Sequence, residues 1–269
     1  MWLLPYLSLF MRRCRCCLHI QFHNCGAMIE KFEGVVLRTI KYSDNLMITD
    51  IYTRQQGRRA FLLPITHSKK ARVRNVLFQP LSMVSFTAPQ RGAKRLVRIV
   101  DAQPYMLYSS IPYDVVKSSI ALYIAEVLTY ALREEECDDA LFTYIDRAFM
   151  WFDSATEGYA DFHLVFMAQL LRFLGIAPNL NNVAPNSYFD MQAGQLVREH
   201  PLHPHFLMPA ATLSFIRLFV CDFLSVRSLA LNGALRGEFL AVLEEYYRLH
   251  VPDFPALRSG DVLRELFRV

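Results

Sequence analysis

The stretch LMITDIYTRQQGRRAFLLPI, residues 46–65, decides the fold class of the N-terminal region. Over its first eight residues the side chains alternate, with Met47, Thr49 and Ile51 on one face and the intervening residues on the other. Because successive side chains of a strand point to opposite faces, this alternation predicts a half-buried strand. A Gln-Gly pair then marks a tight turn, and residues 59–65 are predicted to form the next strand.

Further runs rich in β-branched and aromatic residues flank these two strands. The predicted strands are residues 32–42, 46–53, 59–65, 81–88 and 95–102. Five strands in about 75 residues, with turn residues between them, are typical of a small barrel. The five-stranded OB-fold is the predicted architecture, and an SH3-like barrel fits the pattern nearly as well.

From Tyr113 onward, apolar residues recur at the spacing of an α-helix. Asp114 is predicted to cap the first helix and Asp138 or Asp139 the second, and Gly175 is predicted to end the third. The predicted helices are residues 115–133, 139–152, 160–174, 209–229, 234–250 and 261–267. The sequence therefore predicts a multi-domain α+β protein, in which an OB-fold barrel is followed by an all-α helical bundle.

The predicted domain boundaries follow from this change of period. Residues 28–106 are predicted to form the barrel and residues 107–269 the helical domain. An irregular stretch at residues 177–207, rich in Pro and Asn, interrupts the helical domain. Within it two short runs, 187–190 and 195–197, flank a glycine and predict a small hairpin.

Residues 1–27 differ in composition from the rest and hold four of the six cysteines. Their apolar run is too short to span a membrane, and its positive charges follow the run, whereas a signal peptide has them first. Cys14 and Cys17, with the histidines that follow, lack the spacing of a zinc finger. We expect a non-native or disordered extension, with Met28 as the start of the working protein. Nothing requires disulfides, which fits a reducing cytoplasm.

The net charge changes sign near the residue at which the spacing of apolar residues changes from that of strands to that of helices. Residues 28–105 carry 14 Lys and Arg against 5 Asp and Glu, a balance of +9, whereas residues 106–269 carry 12 against 20, a balance of −8. A basic region joined to an acidic one indicates two domains, of which the basic one binds a polyanion. Hydrophobic residues make up 53% of the chain, which is enough to bury a core and excludes wholesale disorder.

Motifs of catalysis and cofactor binding are absent from the sequence. It contains no G-x-G-x-x-G, no Walker A loop, no G-x-S-x-G and no H-E-x-x-H. The carboxylate runs 134–136 and 244–245 are interpreted as solvated helix faces. His200, His203 and His205 lie in a loop stiffened by proline, with no thiol or carboxylate at a matching spacing, so no metal site is predicted. We expect no enzymatic activity and no cofactor.

The segment SKKARVR, residues 68–74, holds four cations in six residues between two predicted strands. Nucleic-acid backbones bind such arrays because each neutralised phosphate releases counterions. The residues predicted to contact nucleic acid are Lys69, Lys70, Arg72, Arg74, Arg58, Arg91, Lys94 and Arg95. The rings on which bases can stack are Tyr42, Tyr52, Phe61 and Phe78, although most rings of a small barrel fill its core.

An ordered set of short sequences resembles the bacterial RecO family of DNA repair proteins, in the form found in its zinc-free branch. The set comprises GVVL at 34–37, IYT at 51–53, SKK at 68–70, LFQPL at 77–81, IPYDVVKSS at 111–119, FHL at 162–164, YFD at 188–190 and EYYRLH at 245–250. The resemblance extends from Met28 to Phe267.

The resemblance implies an N-terminal OB-fold, a helical domain, and binding and annealing of single- and double-stranded DNA. It also implies action with RecR to load RecA onto DNA coated by single-strand-binding protein (SSB), whose acidic C-terminal tail the family binds. Its basic OB-fold loop matches residues 68–74, and Arg133 or Arg172 are candidates for contact with the tail. Many members carry a four-cysteine zinc ribbon, but residues 177–207 contain no cysteine, so zinc is not carried over.

Two other functions stay open on the sequence. An RNA-binding OB-fold protein shares the basic barrel and differs in preferring RNA to DNA. A protein-interaction scaffold docks an acidic partner on the basic surface and leaves oligonucleotides unbound. The expected partners are single- and double-stranded DNA, RecR and the SSB tail, with no membrane and no small-molecule substrate.

Overall fold

The computed structural model describes residues 28–65, 76–90, 96–132, 137–181 and 183–266 of the chain. Strands predominate before residue 105 and helices after it. Among the described residues, every helix is too short or too polar to cross a membrane.

Six strands of the described residues form one sheet in the N-terminal region. They are β1 (Ile29–Ser43), β2 (Leu46–Thr53), β3 (Gly57–Pro64), β4 (Met83–Pro89), β5 (Val97–Arg98) and β6 (Asp101–Pro104). Their order in the sheet is β5-β3-β2-β1-β4-β6. β5 runs parallel to β3, and the other neighbours are antiparallel. The first four predicted strands are thereby confirmed.

The fifth predicted strand is divided into β5 and β6, because the segment changes partners between them. The amide of Ile99 donates to the main-chain oxygen of Leu62 in β3 at 3.0 Å, and the amide of Val100 donates to that of Thr87 in β4 at 2.9 Å. This segment therefore joins the two ends of the sheet. The resulting barrel is OB-like, as the sequence predicts.

Aromatic rings fill the barrel. The ring centroids of Phe32, Phe61 and Phe86 lie 4.9–5.7 Å apart, and none of these side chains is more than 1% exposed. Gly34 is required where β1 crosses β2, since a Cβ atom there would lie 2.5 Å from Cγ2 of Ile51. The glycine thus lets two strands of the small barrel approach closely.

The described C-terminal region contains six α-helices. They are α1 (Val115–Ala131), α2 (Asp139–Ser154), α3 (Phe162–Phe173), α4 (Pro209–Val220), α5 (Gly233–His250) and α6 (Ser259–Leu266). The predicted caps are confirmed. Asp114 accepts the amides of Val116 and Lys117 at 2.8 and 3.0 Å, Asp138 caps α2, and Gly175 follows α3 with a φ of 69°.

The prediction of one helix over residues 209–229 is wrong. α4 ends at Val220, and a 3₁₀ helix, Phe223–Leu229, follows it. The carboxylate of Asp222 accepts the amide of Ser225 at 2.8 Å, and the Ser225 hydroxyl accepts the amide of Asp222 at 3.1 Å. This reciprocal capping box starts a new element, because it satisfies the amides that a continuing helix would bond internally.

The predicted hairpin between α3 and α4 is confirmed as β7 (Tyr188–Asp190) and β8 (Gln195–Val197). A third strand, β9 (Phe206–Leu207), pairs with the other edge of β7. The sequence does not predict β9, because a strand of two residues shows no alternation.

One hydrophobic core joins the barrel to the helices. Val35, Leu37 and Tyr52 point out of the barrel and pack in the same cluster as α1. Val36 and Ile51 point the other way, into the separate cluster that fills the barrel. The helical region therefore covers part of the outer surface of the barrel.

Candidate nucleic-acid interface

Seven of the eight predicted contact residues lie outside the described residues. They are Lys69, Lys70, Arg72, Arg74, Arg91, Lys94 and Arg95. The described chain ends at Ile65, after β3, and resumes at Val76; it ends again at Gln90, after β4, and resumes at Leu96. The DNA contacts of these seven residues stay predictions.

Arg58 is the eighth predicted contact, and its guanidinium joins β3 to the end of α1. Nη1 donates to the main-chain oxygens of Thr129 and Leu132 at 2.6 and 2.7 Å. Nη2 lies 3.0 Å from Oδ2 of Asp50, and the side chain is 18% exposed. A cation here satisfies carbonyls that the helix leaves free and complements the negative end of its dipole. Arg58 thus has a structural role, and its contact with DNA stays a prediction.

Asp50 is neutralised by two arginines of the barrel. Its Oδ2 accepts Nε of Arg38 at 2.7 Å as well as Nη2 of Arg58 at 3.0 Å. The three groups together carry one net positive charge, and the Arg38 side chain is 48% exposed. The exposed cations of the described barrel strands are Lys31, Arg38, Lys41 and Arg98. Positive charge therefore persists on the described outer surface.

Three of the four candidate stacking rings are buried, as expected for most rings of a small barrel. Phe61 and Phe78 lie in the barrel core, and Tyr52 packs between barrel and helices with its ring 6.5 Å from that of Phe142. These rings fill cores because a small barrel has few other side chains large enough to do so. Tyr42 differs, since 63% of it is exposed.

The junction between barrel and helices is held by a carboxylate in α2. Asp153 accepts the amides of Ser109, Ser110 and Ile111 at 2.7, 2.9 and 3.0 Å. Burial alone would raise the pKa of this carboxyl, but these hydrogen bonds outweigh it and lower the pKa to about 2.

A buried lysine completes the junction. Nζ of Lys117 donates to Oγ of Ser110 and the main-chain oxygen of Ala155, both at 2.6 Å, and to that of Asp153 at 3.0 Å. Burial lowers the pKa of this amine, while the charge of Asp153 opposes that effect. The chain that leads from barrel to bundle is thus held by hydrogen bonds on both sides.

His203 and His205 of the histidine loop each contact a carboxylate. Nε2 of His203 lies 3.2 Å from Oδ1 of Asp190, and Nδ1 of His205 lies 2.9 Å from Oε1 of Glu245. In the part of the chain that the structure describes, no three His, Cys, Asp or Glu side chains are grouped to hold a metal ion. These donors do not fit the four-cysteine zinc ribbon that the resemblance implies for many members of the family.

The buried titratable groups of the bundle also have structural partners. Glu244 accepts the Tyr123 hydroxyl at 3.0 Å and pairs with Arg264 of α6. Burial raises the pKa of Glu244, and the charge of Arg264 opposes that shift. His163 is fully buried, and burial lowers its pKa to about 3. These groups pack inside the fold rather than converge on an open cleft.

Comparison with known proteins places the chain in a family. The model of the recombination protein O N terminal matches residues 28–108, and that of the recombination protein O C terminal matches residues 112–259. A DNA repair protein RecO of Bacteroides fragilis is 42% identical over 241 residues, 89% of this chain and all of that protein. RecO proteins of Phocaeicola vulgatus and Porphyromonas gingivalis are 41% and 31% identical, each over 89% of this chain and all of the relative.

An OB-like barrel that shares a core with a helical bundle, together with these matches, defines a non-enzymatic recombination mediator. The chain belongs to the RecO family of DNA repair and recombination proteins.

Proposed function

We propose that the protein binds single- and double-stranded DNA through its barrel and anneals complementary strands. With RecR, it helps RecA to replace SSB on DNA. The observation that carries this proposal is the division of charge within a RecO chain, with a balance of +9 over residues 28–105 and −8 over residues 106–269. A polyanion is attracted to the first region and repelled by the second.

The proposed DNA contacts are Lys69, Lys70, Arg72, Arg74, Arg91, Lys94 and Arg95, with Arg58 as an eighth. β3 ends at Pro64, shortly before the first group, and β5 begins at Val97, shortly after the second. Since β3 and β5 are parallel neighbours, the described chain leaves the pair at one end and enters it at the other. DNA is proposed to lie along β3 and β5, the strands that adjoin the two basic segments in the sequence.

Annealing follows from charge neutralisation. Two complementary strands repel each other through their phosphates, and cations that neutralise those phosphates lower the repulsion. The bases then meet and pair without any bond being made or broken by the protein. Binding must therefore weaken steeply as salt increases.

We also place the chain in the zinc-free branch of the family. Residues 177–207 contain no cysteine, and apolar contacts support the small sheet there. The ring of Phe189 lies 5.3 Å from that of Phe215 in α4 and 5.8 Å from that of Tyr246 in α5. These contacts, with the two histidine–carboxylate pairs, take the place of a metal in holding β7–β9 to the bundle.

The proposed protein partners are RecR and the acidic SSB tail. An acidic peptide binds cations that stand beside apolar surface. Arg172, exposed in the last turn of α3, offers such a cation, and Arg133 lies outside the described residues.

The experiment measures the fluorescence anisotropy of a labelled single-stranded oligonucleotide titrated with the full chain at about 50 and 200 mM salt. The test variant replaces Lys69, Lys70, Arg72 and Arg74 with Ala. Wild type should bind tightly and lose affinity with salt. The variant should bind weakly, with a slope of log affinity against log salt reduced by about 3.

A matched control removes four exposed arginines of the helical region, Arg147, Arg198, Arg217 and Arg258, and should bind as wild type does. Absence of binding by wild type at low salt would contradict the proposal and favour a protein scaffold. Tighter binding of an RNA of the same sequence would favour the RNA-binding alternative.

A further inference from the structure

A cavity lies where the ends of four helices meet the barrel, and we call it the helix-end cavity. Its volume is about 580 Å³, within the range of about 300–1,000 Å³ that is usual for ligand pockets. The residue next to each helix end lines it: Leu132 after α1, Asp138 before α2, Leu174 after α3 and Val251 after α5. Tyr52 of β2 contributes to the wall on the side of the barrel.

Three of these four ends are C-terminal, and they give the cavity a negative potential. The last carbonyls of a helix have no partner within it, and its C-terminus carries a partial negative charge. At α1 the guanidinium of Arg58 binds two of those carbonyls. The arginines in the last turns of α3 and α5 bind elsewhere, since Arg172 donates to the main-chain oxygen of Phe219 and Arg248 pairs with Glu245. The ends of α3 and α5 therefore still favour a cation.

The walls of the helix-end cavity are mainly apolar, with side chains such as Leu141, Phe173 and Ile176. The carboxylate of Asp138 also lines it, and no lysine or arginine is among its described lining residues. The Tyr52 residue is only 3% exposed, and its hydroxyl donates to the main-chain oxygen of Asp138 at 3.5 Å, the long limit of a hydrogen bond. Burial raises the pKa of Tyr52, so this hydroxyl stays protonated and can donate to a ligand.

The helix-end cavity reaches the surface at Cys137, which lines it and is exposed. The region around it is acidic, with a balance of −8 over residues 106–269. Such a region repels a polyanion and attracts a cation. An apolar cavity within a negative potential fits an apolar side chain that has a positive charge beside it.

We propose that the helix-end cavity binds a basic segment of a partner protein. A leucine or phenylalanine of the segment fills the cavity, as an apolar anchor does at the centre of a protein interface. An adjoining arginine or lysine meets the carboxylate of Asp138 and the C-terminal ends of α3 and α5. The Tyr52 hydroxyl donates to a main-chain oxygen of the segment.

The charges of the two regions keep this partner apart from DNA. The barrel region, with its balance of +9, repels a basic segment, and the helical region repels phosphates. The chain can therefore hold a basic protein on its helices while its barrel stays open to a polyanion. The inference does not depend on DNA binding, because none of the proposed DNA contacts lines the cavity.

The test measures binding of three labelled peptides to the full-length protein by fluorescence anisotropy. The probe is GRLFRG, in which two apolar residues adjoin two arginines. GRSSRG keeps the charges and removes the apolar anchor, whereas GELFEG keeps the anchor and reverses the charges. GRLFRG should bind at least about tenfold more tightly than either of the other two, because the cavity needs both features.

A second measurement locates the peptide on the protein. The rate at which N-ethylmaleimide modifies Cys137 is read by mass spectrometry of the peptide that contains this residue. GRLFRG at ten times its Kd should slow the modification about tenfold, because only the unoccupied protein reacts. GRSSRG at the same concentration should leave the rate unchanged.

Two variants change the cavity itself. Asp138→Asn removes a charge but keeps the cap of α2, because asparagine caps helices as well as aspartate does. It should raise the Kd of GRLFRG about fivefold to tenfold. Ala131→Leu fills part of the cavity and should raise the Kd at least about tenfold. Asp114→Asn is the matched control, because it makes the same change at the other end of α1, about 25 Å away, and should bind as wild type does.

Several outcomes would overturn the proposal. These are the absence of GRLFRG binding at millimolar concentration, equal binding of GRSSRG, and equal or tighter binding of GELFEG. Binding that neither protects Cys137 nor responds to Asp138→Asn would show a diffuse attraction to the acidic surface instead. Self-association of wild type that Ala131→Leu abolishes would assign the cavity to a second copy of the chain.

Discussion

The barrel and the helical region use their charged side chains in opposite ways. In the helical region, several carboxylates are bonded within the fold: Asp153 accepts three amides of the junction, and Glu126 accepts two amides at the start of α6. Asp161 pairs with Nε of Arg236 at 2.7 Å, and both side chains are largely buried. On the barrel, by contrast, cations such as Lys31 and Arg98 are exposed.

This difference explains how a basic and an acidic region coexist in one chain without neutralising each other. A carboxylate committed to internal hydrogen bonds cannot move toward the cations of the barrel. Two barrel arginines do contact the helices: Arg58 at the end of α1, and Arg54, whose Nε lies 3.5 Å from Asp139. The exposed cations Lys31 and Arg98 of the barrel stay available to a polyanion.

The largest expected effect on stability is that of Asp153→Ala, which removes a structural carboxylate. Three amides of the junction lose their acceptor, and Lys117 loses the favourable charge of Asp153. We expect the free energy of unfolding at neutral pH to fall by about 3 kcal/mol. Urea denaturation followed by circular dichroism measures it, and Asp153→Asn, which keeps an acceptor oxygen, should lose less.

The effect of Asp153→Ala on stability should also depend on pH, which supplies a second test. The pKa of this carboxyl is about 2 in the folded protein against 3.8 ordinarily, so its contribution is complete above about pH 5 and is lost as the pH falls toward 2. Wild type and variant should therefore differ in stability at pH 7 and converge in acid. A difference that does not depend on pH would show that the carboxylate charge is not what stabilises the junction.

Arg58→Ala tests a barrel arginine that is bonded within the fold, as the carboxylates of the helical region are. Its removal leaves two carbonyls at the end of α1 without a donor and leaves Asp50 with Arg38 alone. We expect the free energy of unfolding to fall by about 2 kcal/mol. Arg58→Lys should restore little of this loss, because an ammonium cannot reproduce the fork of a guanidinium.

DNA binding by Arg58→Ala shows whether Arg58 also contacts DNA. The quantity to compare is the slope of log affinity against log salt concentration. Loss of one phosphate contact lowers the slope by about 1, whereas a purely structural arginine leaves the slope unchanged. If stability is unaffected while the slope falls, the contrast between the two regions drawn above is wrong for this residue.

Sequence periodicity predicts the fold well where elements are long and regular. β2 is predicted to the residue, and Asp114 and Asp138 are recognised as caps from residue type and position. Periodicity fails where a contact distant in sequence decides the structure. The partner change at Ile99 and Val100 divides the last predicted strand, and the capping box at Asp222 divides a predicted helix.

The candidate site is less predictable than the fold, because charge alone does not tell which side of the barrel a residue occupies. Arg58 and Arg98 look equivalent as basic residues of strands, yet Arg58 faces the end of α1 and Arg98 faces water. Aromatic residues mislead for the same reason, since Phe61 and Phe78 fill the barrel.

The smallest expected effect on the free energy of unfolding is that of Arg227→Ala, which removes an exposed ion pair of the helical region. Arg227 pairs with Glu157, but their side chains are 72% and 65% exposed. Water screens such a pair and both long side chains lose freedom in forming it, so the free energy of unfolding should change by no more than about 0.5 kcal/mol. Arg236→Ala is the matched control, because its pair with Asp161 is largely buried and its loss leaves a carboxylate without its cation. Denaturation of both variants side by side measures the difference. Equal losses would mean that burial does not decide which charges hold the helical region together, and the distinction between structural carboxylates and free cations would lose its physical basis.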